Sequence, residues 1–216
     1  MGKLIKYQFS ISVKKYKTLF VALFILLLPI IRYVDSCYQI GVIMDKWLAF
    51  GAMIMFADLY MVERQYNTID MFYLATQCKK ASIIIRAIES FLTIFILTVI
   101  MYIFCLFRVL SIPPLVILAK LFVKDMLAFS LTILFWGILA FTISNITKNT
   151  WTGLALTILL WFILTSSLPI PDIANIFSYE KNYSYWYISK FIYSALAVVL
   201  FFTSIKMLSR SPYDDR

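Results

Sequence analysis

The chain has 216 residues, of which 62% are hydrophobic and 14% charged, with a formal net charge of +9 and a mean hydropathy of +0.88. Soluble domains carry about 45–50% apolar and about 25% charged residues, so this composition excludes a soluble globular domain, a disordered chain, a disulfide scaffold and collagen. Because a membrane span needs about 20 apolar residues, the chain has room for five or six spans and little else. We expect one all-α polytopic membrane domain over residues 1–216.

The residue inventory excludes several kinds of chemistry. The chain has no histidine, which removes histidine metal ligands, histidine proton relays and Ser-His or Cys-His nucleophiles. Cys37, Cys78 and Cys105 form no C-x-x-C pair, and no G-x-x-x-x-G-K-[ST] phosphate loop occurs. We therefore predict no catalytic site, no metal site and no cofactor in this chain. The positive charge, divided among apolar runs, indicates membrane orientation and not nucleic-acid binding.

Residues 1–17 have the pattern of a helix lying in the membrane interface. An apolar stripe contains Ile5, Phe9, Val13 and Tyr16, and the lysines of another side are Lys3, Lys6, Lys14 and Lys17. Such a helix places its apolar face in lipid and its lysines among anionic headgroups. The alternative is a basic tail that only supports the orientation.

Six apolar runs follow and predict six membrane spans. In chain order they cover residues 18–33, 47–62 (with a start as early as 39), 87–107, 126–146, 150–167 and 187–207. With the N-terminus in the cytoplasm, thirteen of the twenty Lys and Arg residues lie inside, and seven, including Lys190, lie outside. The positive-inside rule therefore predicts that both termini are cytoplasmic.

The fourth run belongs to a stretch too long for one span. Residues 113–146 would measure about 51 Å as a helix, against a hydrocarbon core of about 30 Å. Pro113 and Pro114 suit a helix start, so we expect the helix to begin in the outer interface. Lys120 and Lys124 are four residues apart and can reach outward from one face as interfacial anchors. A basic patch that attracts substrate is the alternative interpretation.

The longest cytoplasmic connection, residues 63–86, lies between the second and third spans. Thr68 is a candidate helix N-cap, and Asp70 lies in the first turn, where the positive end of the helix dipole favours it. We expect a short amphipathic helix over residues 69–75, then polar residues, then a basic start to the next span. A plain solvated loop is the alternative.

This connection resembles the permease subunits of ABC-2 type exporters. That family has a Glu-Arg pair after its second span, a Gly-Thr-Leu-Glu-like turn, Leu-Ala-Thr-Pro-like residues and a basic helix start. The matching residues here are Glu63, Arg64, Thr68, Ile69, Asp70, Leu74, Ala75, Thr76, Lys79 and Lys80. Asn67 stands where the family has Gly, and Gln77 where it has Pro.

The resemblance implies a half-transporter in the plasma membrane of a bacterium. Its loop docks on a separate cytoplasmic ABC ATPase that binds ATP and Mg, and a second permease subunit, identical or related, completes the exporter. The implied ATPase-coupling residues are Glu63, Arg64, Thr68, Asp70, Phe72, Leu74, Lys79 and Lys80. An amphipathic or hydrophobic substrate, such as an antimicrobial or other peptide, suits a subunit of this form. The alternative is the substrate-binding membrane subunit of a vitamin or micronutrient importer, although its Ala-x-x-x-Ala-like docking motif is missing from the first span.

Residues 168–186 connect the last two spans and combine Pro169 and Pro171 with several aromatic residues. In ABC-2 exporters the corresponding segment dips back into the outer leaflet, so the resemblance implies a re-entrant loop. Trp47 and Trp186 lie near predicted span ends, where aromatic belts form, and we expect them to anchor the membrane interface. Trp136 and Trp161 lie within spans and are expected to pack between helices.

Two acidic residues, Asp58 and Glu89, lie inside apolar runs near the predicted cytoplasmic end. Acidic residues at membrane depth are costly and usually paired or exposed to water. We expect structural pairing with Arg64 or Arg86 here, in preference to a proton relay, which would need further ionisable groups deeper in the bundle.

Overall fold

The computed structural model describes residues 15–32, 34, 36–61, 79–109, 113–166, 175–177 and 186–209. Within these ranges the secondary structure consists of six α-helices and contains no strand. The helices are α1 (Lys15–Ile31), α2 (Cys37–Phe56), α3 (Lys79–Leu106), α4 (Leu115–Thr147), α5 (Thr150–Thr165) and α6 (Trp186–Ser209). The expectation of an all-α chain is confirmed for the part of the chain that the structure describes.

Four helices, α2, α3, α4 and α6, are long and apolar enough to cross a membrane, and the apolar helices α1 and α5 are shorter. Apolar side chains also cover much of the bundle's outer surface, as on α3, where Ile88, Leu92 and Ile96 are about half exposed. A soluble protein would not leave a surface of this kind in water, because contiguous apolar patches drive association. The chain is a helical membrane protein.

The helices alternate in direction. Lys17 near the start of α1 contacts Asp58 just after α2, and Arg108 just after α3 contacts Pro29 near the end of α1. We call these the Lys17 end and the Arg108 end of the bundle. Helices α1, α3 and α5 run from the Lys17 end to the Arg108 end, and α2, α4 and α6 run back.

Helix α4 lies at the centre of the bundle. It packs against α2, α5 and α6 and also contacts α3. In its apolar window 67% of the residues are buried, compared with 17% in the corresponding window of α6. Helix α6 is therefore held mainly by α4 and exposes most of its surface.

The observed helix bounds differ most from the apolar runs at α2 and α3. Helix α2 begins at Cys37, two residues before the earliest expected start, with Ser36 as N-cap accepting the Gln39 backbone N–H, and it ends at Phe56 and not at residue 62. Helix α3 begins at Lys79 and not at Ala87. The apolar run was expected to begin after Arg86, but the helix already includes this residue, because the Arg86 side chain is buried against the turn that follows α2 and does not mark a membrane edge.

The long fourth helix is continuous, as the double proline predicts. Pro114 is the N-cap of α4, and the helix then runs unbroken for 33 residues to Thr147. It therefore measures about 50 Å at 1.5 Å per residue, longer than a hydrocarbon core of about 30 Å. Lys120 is exposed, and the Lys124 Nζ atom lies 5.6 Å from the centroid of the Trp186 ring.

A two-residue turn joins α4 to α5. Lys148 has the left-handed φ of 55°, and the Asn149 side chain caps α5 by accepting the Trp151 backbone N–H at 2.9 Å. The two helices then meet so closely that a Cβ atom on Gly153 would lie 2.6 Å from the Cα of Ser144. Glycine is required at this position because no larger residue fits the contact.

Between α5 and α6 the structure describes only Ser166 and the turn 175–177, so the re-entrant loop over 168–186 stays a prediction. Ile176 and Phe177 are buried. The Phe177 ring lies 6.2 Å from the Trp136 ring and 6.3 Å from the Trp161 ring. Both tryptophans are buried, so they pack between helices as expected.

Candidate functional site

A buried ion pair joins three helices in the half of the bundle nearer the Arg108 end. The Lys190 ammonium on α6 donates to both carboxylate oxygens of Asp45 on α2, at 2.6 Å and 2.8 Å. It also donates to the hydroxyl of Thr132 on α4 at 2.7 Å, and this hydroxyl in turn donates to Asp45 Oδ1 at 2.5 Å. We call Asp45, Thr132 and Lys190 the buried triad.

The triad lies well inside its helices. At 1.5 Å per residue, Asp45 is about 12 Å along α2 from Cys37, Thr132 about 26 Å along α4 from Leu115, and Lys190 about 6 Å along α6 from Trp186. Their exposed fractions are 2%, 0% and 1%. All three helices run away from the Arg108 end, so the different offsets bring the three side chains to one level.

The hydrogen bonds of the triad compensate its buried charges and hold the three helices in one relative position. A buried charge is tolerated when it is paired and its remaining hydrogen-bonding positions are used. Here the carboxylate, the hydroxyl and the ammonium are hydrogen-bonded to one another. Removing one member of such a pair costs about 3–5 kcal/mol, whereas replacing both by apolar residues of similar volume is often neutral. The triad therefore specifies how α2, α4 and α6 fit together more than it adds net stability.

A second buried polar contact lies between α3 and α4, closer to the Arg108 end. The Tyr102 hydroxyl donates to Asp125 Oδ2 at 3.0 Å, and both residues are fully buried. Asp125 precedes Thr132 by seven residues, two turns along the same face of α4. Helix α4 thus has two carboxylate contacts on one face, one with α3 and one with α2 and α6.

Aromatic residues close the bundle beside the triad. The Trp161 indole on α5 donates to the backbone carbonyl of Lys46, the residue after Asp45, at 3.2 Å. Its ring lies 4.5 Å from the Phe50 ring and 5.7 Å from the Trp47 ring. The Arg32 guanidinium lies 5.5 Å from the centroid of the Trp47 ring. These contacts fix α5 against the part of α2 that carries Asp45.

A separate group of polar contacts lies at the Lys17 end. The Lys17 ammonium forms an ion pair with Asp58 and donates to the Met55 carbonyl at 2.9 Å. The buried Arg86 guanidinium donates to the Leu59 carbonyl at 2.8 Å. Helices α1 and α3 are therefore both tied to the turn that follows α2, where the connection to α3 begins.

The predicted coupling residues belong to the connection between α2 and α3 and are largely outside the described ranges. Glu63, Arg64, Thr68, Asp70, Phe72 and Leu74 fall in the undescribed residues 62–78, so their roles stay predictions. Lys79 is the first residue of α3, and the Lys80 side chain is exposed one residue later. Lys148 and Lys206, at the corresponding ends of α4 and α6, are also exposed.

The predicted interface anchors have mixed outcomes. Lys3, Lys6 and Lys14 lie outside the described residues. Trp47, in the middle of α2, and Trp186, the first residue of α6, are partly buried, each beside a cation, Arg32 and Lys124 respectively. Their role as anchors of the membrane interface stays a prediction.

These contacts correct two sequence interpretations and add a partner for a third residue. Lys17 was expected among lipid headgroups, but its side chain is 12% exposed and turned toward Asp58, because the start of α1 meets the end of α2. Asp58, which was expected to pair with Arg64 or Arg86, forms an ion pair with this lysine. Lys190 was counted as an outer flanking charge, but it is buried inside the bundle by its ion pair with Asp45.

The sequence analysis missed Asp45 and Asp125 as site residues. One signal existed for Asp45: if the second span begins near Gln39, as the early limit allowed, this carboxylate falls inside the span. A charge inside a span calls for an opposite charge on another helix, and Lys190, near the start of the last predicted span, could supply it. Asp125 had no such signal, because it follows Lys124 in a stretch that was assigned to the outer interface.

Comparisons with known proteins leave the family open. No family model, no curated protein and no solved structure matches this chain. Among the described residues, no group of three or more His, Cys, Asp or Glu is placed to hold a metal ion. What the chain does must be argued from its residues and its geometry.

Proposed function

We propose that this chain is the membrane-spanning subunit of an ATP-driven ABC-2 type exporter that works with a separate ATPase subunit. The exporter moves an amphipathic or hydrophobic substrate outward, and a peptide is the class that the resemblance favours. The working assembly contains two permease subunits and two ATPases in a bacterial plasma membrane. The chain itself supplies no nucleotide site and no catalysis.

The observation that carries the proposal is the bracing of α1, α2 and α3 at the Lys17 end. The connection that resembles a coupling segment leaves α2 and enters α3 at this end. The Lys17–Asp58 ion pair and the Arg86–Leu59 contact tie the neighbouring helices to the turn where it begins. A push on the connection would therefore move three helices together, which is what coupling to a soluble motor requires.

Helix α2 gives that push a path into the bundle. Its last part meets Lys17 through Met55, and its middle carries Asp45 of the buried triad. Helices are stiff, so a displacement at one end of α2 reaches α6 through the ion pair and α4 through Thr132. This continuity supports an exporter mechanism in which α6 and the loop before it respond to the ATPase.

The charge distribution supports an orientation with both termini and the coupling segment in the cytoplasm. Thirteen basic residues were assigned inside and seven outside. Arg86 and Lys190 are buried. Setting them aside removes one residue from each side and leaves twelve against six. The ratio that the positive-inside rule uses therefore becomes larger.

The deciding experiment is purification of the tagged chain from its native membranes, with identification of the proteins that accompany it. We expect an ABC ATPase subunit in stoichiometric amount, and ATP hydrolysis only when that subunit is present. Hydrolysis by the chain alone would contradict the division of labour. Absence of any ATPase under conditions that preserve membrane complexes would contradict the proposal as a whole.

A matched pair of variants tests the coupling segment directly. Phe72→Ala removes a proposed apolar anchor, and truncation of such an anchor commonly costs about 2 kcal/mol, a loss of about thirtyfold in affinity. We expect Phe72→Ala to leave membrane insertion intact while reducing both ATPase recovery and transport. Glu180→Ala, in the connection between α5 and α6, is the control and should leave recovery unchanged. Full recovery and full transport in both Phe72→Ala and Leu74→Ala would mean that the segment is an ordinary loop.

A further inference from the structure

The Lys190 ammonium is bound by the protein as a ligand would be. Three donors of a primary ammonium find three oxygens: both carboxylate oxygens of Asp45 and the hydroxyl of Thr132, all within 2.6–2.8 Å. We propose that Asp45 and Thr132 form a binding site for a primary ammonium group, that Lys190 is its resident occupant, and that a ligand with a primary ammonium on an apolar stem competes with it. That such a ligand is the transported substrate rests on the proposed exporter function. The binding of the ligand itself does not.

The site selects for N–H donors. The Thr132 hydroxyl accepts from the ammonium while its own hydrogen is directed to Asp45 Oδ1, so the hydroxyl serves only a partner that donates. A quaternary ammonium offers no N–H and carries methyl groups where the oxygens lie. Charge-assisted hydrogen bonds are about twice as strong as neutral ones, so a primary amine is favoured well beyond its charge alone.

The surroundings suit an apolar stem. Lys190 is in the second turn of α6, the least enclosed of the four long helices. Within one turn of it, Tyr187, Ile188 and Phe191 are between 36% and 55% exposed. Because the triad itself is buried, an amphipathic amine from the bilayer reaches Asp45 only when α6 moves away from α2 and α4, and the limited enclosure of α6 favours this route.

Competition with a tethered lysine predicts a definite order of affinities. A group attached to the site has an effective concentration in the millimolar range, so a free amine binds wild-type protein more weakly than a protein without the tether. Lys190→Met removes the resident ammonium and keeps a side chain of similar length. We expect octylammonium to half-saturate this variant at a concentration at least tenfold lower than it does wild-type protein.

The control variant removes the site without leaving a lone charge. Asp45→Asn combined with Lys190→Met neutralises both partners, so it avoids the unpaired buried charge that makes single removal costly, and the amide keeps the shape of the carboxylate. Each purified protein is placed in phosphatidylcholine nanodiscs, which carry no anionic lipid to attract amines. The midpoint of thermal unfolding is then measured against octylammonium and, separately, against octyltrimethylammonium.

The expected result is a saturable rise of several degrees in wild-type protein with octylammonium and a smaller, unsaturated effect with octyltrimethylammonium. The double variant should respond equally to both. If wild-type protein also responds equally to both amines, the triad is only a structural ion pair and the proposal is overturned. If Lys190→Met does not fold, the comparison of wild-type protein with the double variant still decides. No ATPase is present in the assay, so its failure is distinct from failure of the exporter proposal.

Discussion

Thr132 has two roles that its residue type alone does not reveal. Like those of several buried threonines in this bundle, its hydroxyl lies within reach of a carbonyl one turn earlier, that of Ala128 at 3.0 Å. Unlike them, it directs its single hydrogen mainly to the closer Asp45 carboxylate and accepts from the Lys190 ammonium. Thr98 has only the first role, with its hydroxyl on the Ile94 carbonyl at 2.8 Å, and it is equally buried.

This pair of threonines allows a controlled substitution. Thr132→Val keeps the shape of the side chain but leaves Asp45 and Lys190 each short of one hydrogen bond. Hydrogen bonds to charged groups contribute about 1.5–3 kcal/mol, so we expect a loss of that size in the free energy of unfolding. Thr98→Val should lose less than about 1 kcal/mol, since only a back-bond within one helix disappears. Unfolding in nanodiscs measures both, and equal losses would mean that Thr132 does not support the ion pair.

The triad also shows where a single sequence stops being informative. Asp45 and Lys190 are 145 residues apart, and from the sequence alone each is explained as a charge that flanks a span. What makes them partners is the parallel direction of α2 and α6 and the offset of α4 between them. That arrangement is a property of helix packing, and hydropathy along the chain carries no information on it.

At the scale of helices, one buried cation joins α3 to the turn that follows α2. Arg86 lies near the start of α3 and Arg108 just after its end, and each donates to a backbone carbonyl, of Leu59 at 2.8 Å and of Pro29 at 3.1 Å. Arg86 is 1% exposed, and Arg108 is exposed. Both contacts are hydrogen bonds from an arginine to a backbone carbonyl, and they differ mainly in burial.

We expect Arg86→Met to reduce the free energy of unfolding by about 1–3 kcal/mol, because the Leu59 carbonyl loses a buried donor. Arg108→Met should have an effect within about 0.5 kcal/mol, as surface substitutions usually do. Thermal unfolding of the two variants side by side is the measurement. A larger loss from Arg108→Met would show that the Arg108 end, and not the Lys17 end, limits the stability of the bundle.

The α4–α5 hairpin is a second element-scale test, since it depends on close approach of two backbones. Gly153→Ala would place a Cβ 2.6 Å from the Ser144 Cα, an atom that cannot move without its helix. Overpacking of this kind costs about 1–3 kcal/mol, more than the gain of about 1 kcal/mol in helix propensity. We expect a net loss of stability, seen as a lower unfolding midpoint.

The matched control is Gly51→Ala in α2. The nearest atom to a Cβ there is the Val21 Cγ1 at 3.3 Å, a side-chain methyl group that can shift slightly, and the Ile25 Cδ1 at 3.6 Å is in ordinary contact. The propensity gain then offsets the contact, and the unfolding midpoint should change little. Stabilisation by Gly153→Ala would mean that the hairpin is looser than its geometry indicates.

The helices themselves were largely predictable, and the reasons differ from one to another. Continuous apolar runs located all six, and the double proline before Leu115 located the start of the longest. The start of α3 was missed because charge was taken as a boundary, whereas Arg86 is buried by a carbonyl partner. A pattern of apolar residues predicts which residues are buried away from water, but it does not predict that a cation is buried with a hydrogen-bond partner.

At the scale of the whole molecule, the alternating directions of the helices group their ends into two sets. The starts of α1, α3 and α5 lie with the finish of α2, α4 and α6 at the Lys17 end. Lys80, Lys148 and Lys206 are exposed there, and Arg32, Arg108 and Lys120 are exposed at the other end. The described residues alone thus give the two ends similar basic charge, and the proposed orientation depends on lysines and arginines of residues 1–14, 62–78 and 210–216 as well.

Labelling from one side of the membrane tests that orientation with two exposed positions. In a chain whose Cys37, Cys78 and Cys105 are replaced by Ala, a single cysteine is introduced as Lys80→Cys or as Lys120→Cys. A membrane-impermeant maleimide applied to intact cells should modify only Lys120→Cys, because the positive-inside rule places the Lys17 end in the cytoplasm. Both variants should react after the membrane is permeabilised, which controls for accessibility. Modification of Lys80→Cys alone in intact cells would show that the orientation is the opposite one. The coupling segment would then lie outside the cell, which would exclude a cytoplasmic ATPase as its partner.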